Sequence, residues 1–153
     1  MKLLAAAVVA LGLAGPAGAQ TVDASDAGRL MKIIQGLGYG AQLTTDAAGD
    51  PMIVGKAEGV EFRVMFYRCT AGTACRVIQF RAGFDLADGS TLEAMNDWNR
   101  ENLFGSAYLD AEGDPFVDYA VNLDFGVTRA NFEDSFDWWL VVLRDFKSHI
   151  GFR

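Results

Sequence analysis

Residues 90–115 read S-T-L-E-A-M-N-D-W-N-R-E-N-L-F-G-S-A-Y-L-D-A-E-G-D-P. Ser90-Thr91-Leu92-Glu93 has the spacing of a capping box, in which a hydroxyl and a carboxylate satisfy reciprocal backbone amides at a helix start. Leu92, Met95, Trp98 and Leu103 supply the apolar positions that follow, and Gly105 stops the helix. Ser106 to Asp110 reads as a strand and Ala111 to Asp114 as a turn. Pro115 opens a second strand that runs to Phe125. Along it Val117, Tyr119, Val121, Leu123 and Phe125 alternate with Asp118, Ala120, Asn122 and Asp124. A polar face that meets water predicts an antiparallel sheet covered on one side.

A fainter copy of this unit lies upstream. Asp46-Ala-Ala-Gly-Asp-Pro51 matches Asp110-Ala-Glu-Gly-Asp-Pro115 at an offset of 64 residues. The same offset sets Leu30, Met31 and Ile34 on Ala94, Met95 and Trp98, and Met52-Ile53 on Phe116-Val117. Chance likeness of turn residues is the competing explanation. The upstream elements read the same way: Asp23 or Ser25 caps a helix carrying Leu30, Ile33, Ile34 and Leu37. Gly36, Gly38 and Gly40 end it, Ala41–Thr45 extends as a strand, and Pro51 starts another over Met52–Val54.

Between the copies lie two alternating runs. Val60, Phe62, Val64 and Phe66 face one way in the first, against Glu61, Arg63, Met65 and Tyr67. Ile78, Phe80, Ala82 and Phe84 face inward in the second, with Cys75, Val77, Gln79 and Arg81 outward. Thr70–Ala74 joins them as a hairpin that brings Cys69 opposite Cys75. These are the only two cysteines. Their spacing is not C-x-x-C, and the single histidine, His149, is distant in sequence, so a structural disulfide is expected rather than a metal or redox site.

Thr128 caps a last helix with Phe132, Phe136, Trp139, Leu143, Phe146 and Ile150 at helical spacing. Trp138, Val141 and Val142 add a second apolar strip, so the arc is wider than one sheet can cover. A neighbouring helix or a second subunit is expected over it, which makes Trp138, Val141 and Val142 a candidate dimer interface. Taken together the chain reads as α+β, an antiparallel sheet packed with three helices in the order α-β-β-β-β-α-β-β-α.

Residues 1–19 read as a cleaved signal peptide: Lys2, an apolar run from Leu3 to Leu13, then Ala17-Gly18-Ala19 as the small-x-small cleavage pattern. The apolar run is well short of the roughly 20 residues a spanning helix needs. Residues 20–153 then form one domain, placed in the periplasm or secreted, with no membrane insertion after cleavage. The net charge of −7 disfavours nucleic-acid binding, which needs Lys and Arg against phosphate. That charge is segregated. Five basic residues lie between Lys56 and Arg81 against Glu58 and Glu61, whereas Ala82 to Asp124 holds ten acids and only Arg100.

No constellation of catalytic residues accompanies these elements, and neither enzyme activity nor a cofactor is expected. Asp110, Glu112 and Asp114 alternate as calcium ligands do. Pro115 and Val121 stand where such a loop wants Gly and Glu, so a hairpin turn is the better reading. Glu93, Asp97 and Glu101 recur one helical turn apart, as a solvated face does. His149 reads as a helix-end residue. Trp98, flanked by Asn96, Asp97, Asn99 and Arg100, is either core or a half-exposed contact of the kind found at interfaces.

The run N-D-W-N-R-E-N-L-F-G-S-A-Y-L-D-A-E-G-D-P, the hairpin F-Y-R-C-T-A-G-T-A-C-R-V-I-Q-F and the closing N-L-D-F-G-V-T-R-A-N-F resemble the YbjN family over about Val22 to Ile150. Proteins of that family are labelled bacterial sensory transduction regulators. The resemblance implies a fold similar to type III secretion chaperones, small α+β proteins that dimerise and bind extended client segments, and it brings no catalytic residues. An export signal and a disulfide depart from a cytoplasmic chaperone role.

The expected function is therefore a non-enzymatic, exported module of the cell envelope, a homodimer that binds a protein or peptide. Trp98 and Arg100, with Arg63 and Arg81 on the hairpin's outer face, are the expected contacts. The alternative is a small-ligand sensor or carrier with an apolar pocket between sheet and helices.

Overall fold

Alternating apolar residues and Asp- and Gly-marked turns fold into a main sheet with its helices on a single side. The computed structural model describes residues 21–153, and the leader read at 1–19 lies outside them. In chain order the elements are β1 (Thr21–Val22), α1 (Ala27–Gly36), β2 (Gly40–Thr45), β3 (Pro51–Ala57), β4 (Val60–Tyr67) and β5 (Val77–Gly83). They continue with α2 (Leu92–Glu101), β6 (Ser106–Leu109), β7 (Pro115–Asn122), β8 (Val127–Thr128) and α3 (Arg129–His149). Six strands make an antiparallel sheet in the order β2-β3-β4-β5-β7-β6, and β1 pairs with β8 in a small second sheet. The α+β class, the three helices and the element order match the sequence reading.

The period-2 pattern sets the two faces. Val60, Phe62, Val64 and Phe66 of β4 and Ile78, Phe80 and Ala82 of β5 are buried, while Glu61, Arg63 and Tyr67 on the opposite face are exposed. The long stripe of α3 lies on the apolar face, with Phe132, Phe136, Trp139, Leu143 and Phe146 buried. Phe80 stacks on Trp139 with centroids 5.6 Å apart, and Phe62 meets Phe136 at 5.9 Å. Each such pair adds about 0.5–1.5 kcal/mol beyond area burial. Aromatic rings thus fill the space between the sheet and α3.

The hairpin register Phe66↔Ile78 and Tyr67↔Val77, continued two residues further, sets Cys69 against Cys75, and the disulfide is formed. Cys75 nevertheless points inward and is buried, contrary to the alternation. Regular pairing stops at Tyr67 and Val77, and the chain takes positive φ at Arg68, Ala71 and Ala74, so the strand's parity is lost before Cys75.

The repeat is real in three dimensions. Shifted by 64 residues, α1 and β3 fall on α2 and β7 to within a residue at each end, and β2 overlaps β6. In the first turn Asp46 Oδ1 accepts from the amides of Ala48 (2.9 Å) and Asp50 (3.0 Å). In the second Asp110 Oδ1 accepts from Glu112 (2.9 Å) and Asp114 (3.0 Å). Gly49 and Gly113 take φ of 87° and 90°. The two copies flank the β4–β5 hairpin, one on each side.

Several local expectations need correcting. Asp26 caps α1, because Asp23 instead accepts from the backbone of Ser25. Thr91, not Ser90, caps α2, accepting from the Ala94 amide at 3.1 Å, so the helix begins one residue late for Glu93 to close the box. Leu92 is 75 % exposed, and Leu37 lies at the C-cap of α1 and is exposed too. The polar lead at Thr21–Ser25 buries Val22 and Ala24 through the β1–β8 pair. β7 ends at Asn122, and Phe125, at φ 66°, is 99 % exposed in the turn that follows.

Candidate functional site

The quoted stretch builds a joint. Trp98 sits in the middle of α2, one turn before the helix ends, and its indole Nε1–H donates to the Gly105 carbonyl at 2.8 Å. Asn99 accepts from the Ala107 amide at 2.8 Å and donates to the Ala107 carbonyl at 3.0 Å, tying α2 to β6. Asn102 donates to the Trp98 carbonyl and so closes the helix end. Gly105 is at φ +85°, and a Cβ there would stand 2.7 Å from Val142 Cγ1 of α3. Trp98 packs edge-on against Phe146 at 5.0 Å, and the His149 ring donates to the Ala94 carbonyl at 2.8 Å. The residue types that make this run conspicuous in the sequence are those that lock α2, β6 and α3 together.

Trp98 is therefore a buried core residue, not an exposed contact. Val142 is buried as well, which removes it from any free dimer surface. Trp138 and Val141 keep partial exposure. Arg100 is exposed at the end of α2 and pairs with Asp97 (2.8 Å) and Glu101 (3.2 Å).

A cleft opens where this joint meets α3. Asn102, Leu103, Phe104, Trp138 and Val141 line it over a floor that includes Trp98 and Val142, with a volume of about 210 Å³. Leu103 is 90 % exposed and Trp138 43 %. Phe104 packs on Trp138 (5.1 Å) and on Tyr119 (5.3 Å), which holds the cleft's wall in place. Burial pushes the Tyr119 phenol above its ordinary value, and the Asp134 carboxylate adds to this. The cleft thus gathers Trp98, Trp138, Val141 and Val142 from the sequence-derived candidates and adds Leu103 and Phe104. The apolar pattern places Leu103 on a face of α2, whereas the helix ends at Glu101 and Leu103 lies beyond its cap. The signal for its real position is N-L-F-G itself: two large apolar residues between a helix-ending Asn and a Gly cannot both continue a helical stripe.

Arg63 and Arg81 come together elsewhere, on the exposed face of the sheet, directly opposed across β4 and β5. Like charges in that position repel, and acids offset them. Arg81 donates to both Asp118 oxygens at 2.8 Å and lies 6.0 Å above the Tyr108 ring. The hydrogen bonds to Asp118 hold the guanidinium charged well above its usual range. Asp118 is only 8 % exposed, so the supposedly solvated face of β7 is covered at this point by Arg81. Arg63 makes a looser 3.5 Å contact with Glu61.

The carboxylates of Asp110, Glu112 and Asp114 lie within 4.8 Å of one another. Two of the three are engaged by backbone. Asp110 closes its own turn, and Asp114 accepts from the Leu86 amide at 3.1 Å. Turn chemistry accounts for the cluster.

Three helices packed on one face of a six-stranded antiparallel sheet, with a disulfide hairpin between two copies of a helix–strand–turn–strand unit, define a small α+β module. The family model YbjN, described as "Putative bacterial sensory transduction regulator", matches residues 26–152. The chain belongs to that family. No match was found among curated proteins or among solved structures.

Proposed function

We propose that this protein is an exported, non-enzymatic regulatory module of the cell envelope that binds a protein partner through the cleft between α2 and α3. The observation that carries the reading is Leu103, left 90 % exposed beside the half-exposed Trp138. Large apolar side chains grouped at a concave surface are the usual anchoring points of protein recognition. The family description, a sensory transduction regulator, fits a protein that works by binding. Export is supported by the leader pattern at residues 1–19 and by a disulfide, a bond that persists in oxidising compartments.

A photo-crosslinking amino acid at position 103, with position 42 on β2 as control, tests this in living cells. The expected result is a defined adduct, identified by mass, that disappears with Trp138→Ala. Labelling no stronger at 103 than at 42 would refute the cleft as the binding site. Adducts of the chain with itself would assign Trp138 and Val141 to a homodimer instead.

A further inference from the structure

We infer that the partner segment taken by this cleft is cationic and amphipathic: a large apolar side chain flanked by Lys or Arg. The inference rests on the cleft being a binding site and adds the chemistry of its occupant.

Size is the first argument. About 210 Å³ falls below the roughly 300–1,000 Å³ of small-molecule pockets, and it suits a single large side chain presented by a longer segment.

Charge is the second. Asp134, Trp138, Val141 and Asp145 recur at spacings of four, three and four, so they share one stripe of α3. The apolar wall of the cleft therefore has a carboxylate one turn away on either side, Asp145 paired with Arg144 and Asp134 in no ion pair among the described residues. On α2, Asp97 and Glu101 share the one Arg100, which leaves a single net negative charge there. The cations of both helices are already engaged. Arg100 pairs with Asp97 and Glu101, Arg129 with Glu133, and Arg144 with Asp145, while Lys147 donates to the Glu58 carbonyl. Asp134 and Asp137 take part in none of the ion pairs among the described residues. An incoming Lys or Arg meets unneutralised carboxylate beside the anchor site, and an incoming Asp or Glu meets repulsion. The net charge of −7 extends the same preference to long-range steering. The basic residues Lys56 and Arg63 lie on the far face of the sheet, away from the cleft.

The test uses the full chain with its disulfide intact and three fluorescent 12-residue peptides. One has a central Trp-Leu pair flanked by Lys, the second the same pair flanked by Glu, and the third the Lys flanks with Ser in place of Trp-Leu. Anisotropy titrations at low and moderate salt should show the first binding roughly tenfold or more tighter than the second, with the gap narrowing as salt screens it. Leu103→Ser, a neutral change at a site too exposed to disturb folding, should weaken binding of the Lys-flanked peptide roughly tenfold or more. Asp134→Asn with Asp137→Asn should shrink the preference, with near-ultraviolet circular dichroism checking that the aromatic packing is intact. Equal or tighter binding of the Glu-flanked peptide overturns the cationic inference and leaves the cleft standing. Undiminished binding of the Ser peptide also overturns it, because charge alone would then be read. If neither Trp-Leu peptide binds, the cleft reading itself falls.

Discussion

Gly105→Ala should be among the most damaging single-methyl additions in the molecule. Gly105 has φ +85°, and its added Cβ would sit 2.7 Å from Val142 Cγ1 and 3.2 Å from Val117 Cγ2. Left-handed backbone costs an L-residue about 1–2 kcal/mol, and forcing a methyl into a packed core costs about 1–3 kcal/mol. The variant should therefore lose about 2–5 kcal/mol of the roughly 5–15 kcal/mol that holds a domain of this kind together. Equilibrium urea unfolding followed by Trp fluorescence reads it directly, since Trp98 and Trp139 are buried. At a mid-range slope of about 2 kcal/mol per molar urea, the midpoint should drop by roughly 1–2.5 M. The same change in a Val142→Ala background separates the two terms. Once the nearest obstructing methyl is gone, the penalty should fall toward the backbone part of about 1–2 kcal/mol. A loss under about 0.5 kcal/mol in the parent, or identical losses in both backgrounds, would refute the close approach of α3 to the end of α2.

Other expectations follow from single features. Burial raises the Tyr108 and Tyr119 phenols above the ordinary value of 10.0. Their stabilising effect is fully present below that value and is lost as pH climbs through their folded values. Denaturation from pH 8 to 11.5 should show a decline that Tyr108→Phe with Tyr119→Phe flattens. Cys69→Ser with Cys75→Ser should cost about 2–3 kcal/mol, the entropy of closing a short loop, and a two-dalton mass difference on reduction confirms the bond in the parent. Asp46→Ala and Asp110→Ala remove the same pair of turn hydrogen bonds, so each should cost about 1 kcal/mol and the two effects should add. Clearly unequal losses in thermal unfolding would argue against equivalent turns.

The elements were legible because their signals are local. Alternation in β4, β5 and β7, the twin Asp-x-x-Gly-Asp-Pro turns and the aromatic stripe of α3 each fix an element from a few neighbouring residues. The site was less legible because it depends on what lies across from each side chain. Trp98 among polar neighbours looks like a surface residue until Phe146 and His149 arrive from α3, about 50 positions later in the chain. Val142 looks surplus on an already full helix until α2 and Gly105 cover it. Conversely, Leu92 and Leu103 satisfy a helical pattern and still end up outside, because α2 starts one residue later and stops sooner than the pattern implies. Cys75 shows the same limit at smaller scale. Parity along a strand holds only while hydrogen-bonded pairing continues.

β2 and β6 are the two margins of the sheet, where unpaired backbone groups invite a foreign strand to join. Asn99 occupies both outward backbone groups of Ala107 in β6, and Gln35 of α1 donates to the Ala41 carbonyl in β2 at 2.9 Å. Each helix thus lends one amide side chain that stands in for the next strand. Two consequences follow. The sheet resists growing from molecule to molecule, and Asn99→Ala with Gln35→Ala should give self-association visible by light scattering where the parent stays dispersed. Backbone pairing by a foreign strand is also blocked at the centre of β6, where Asn99 already holds both groups of Ala107.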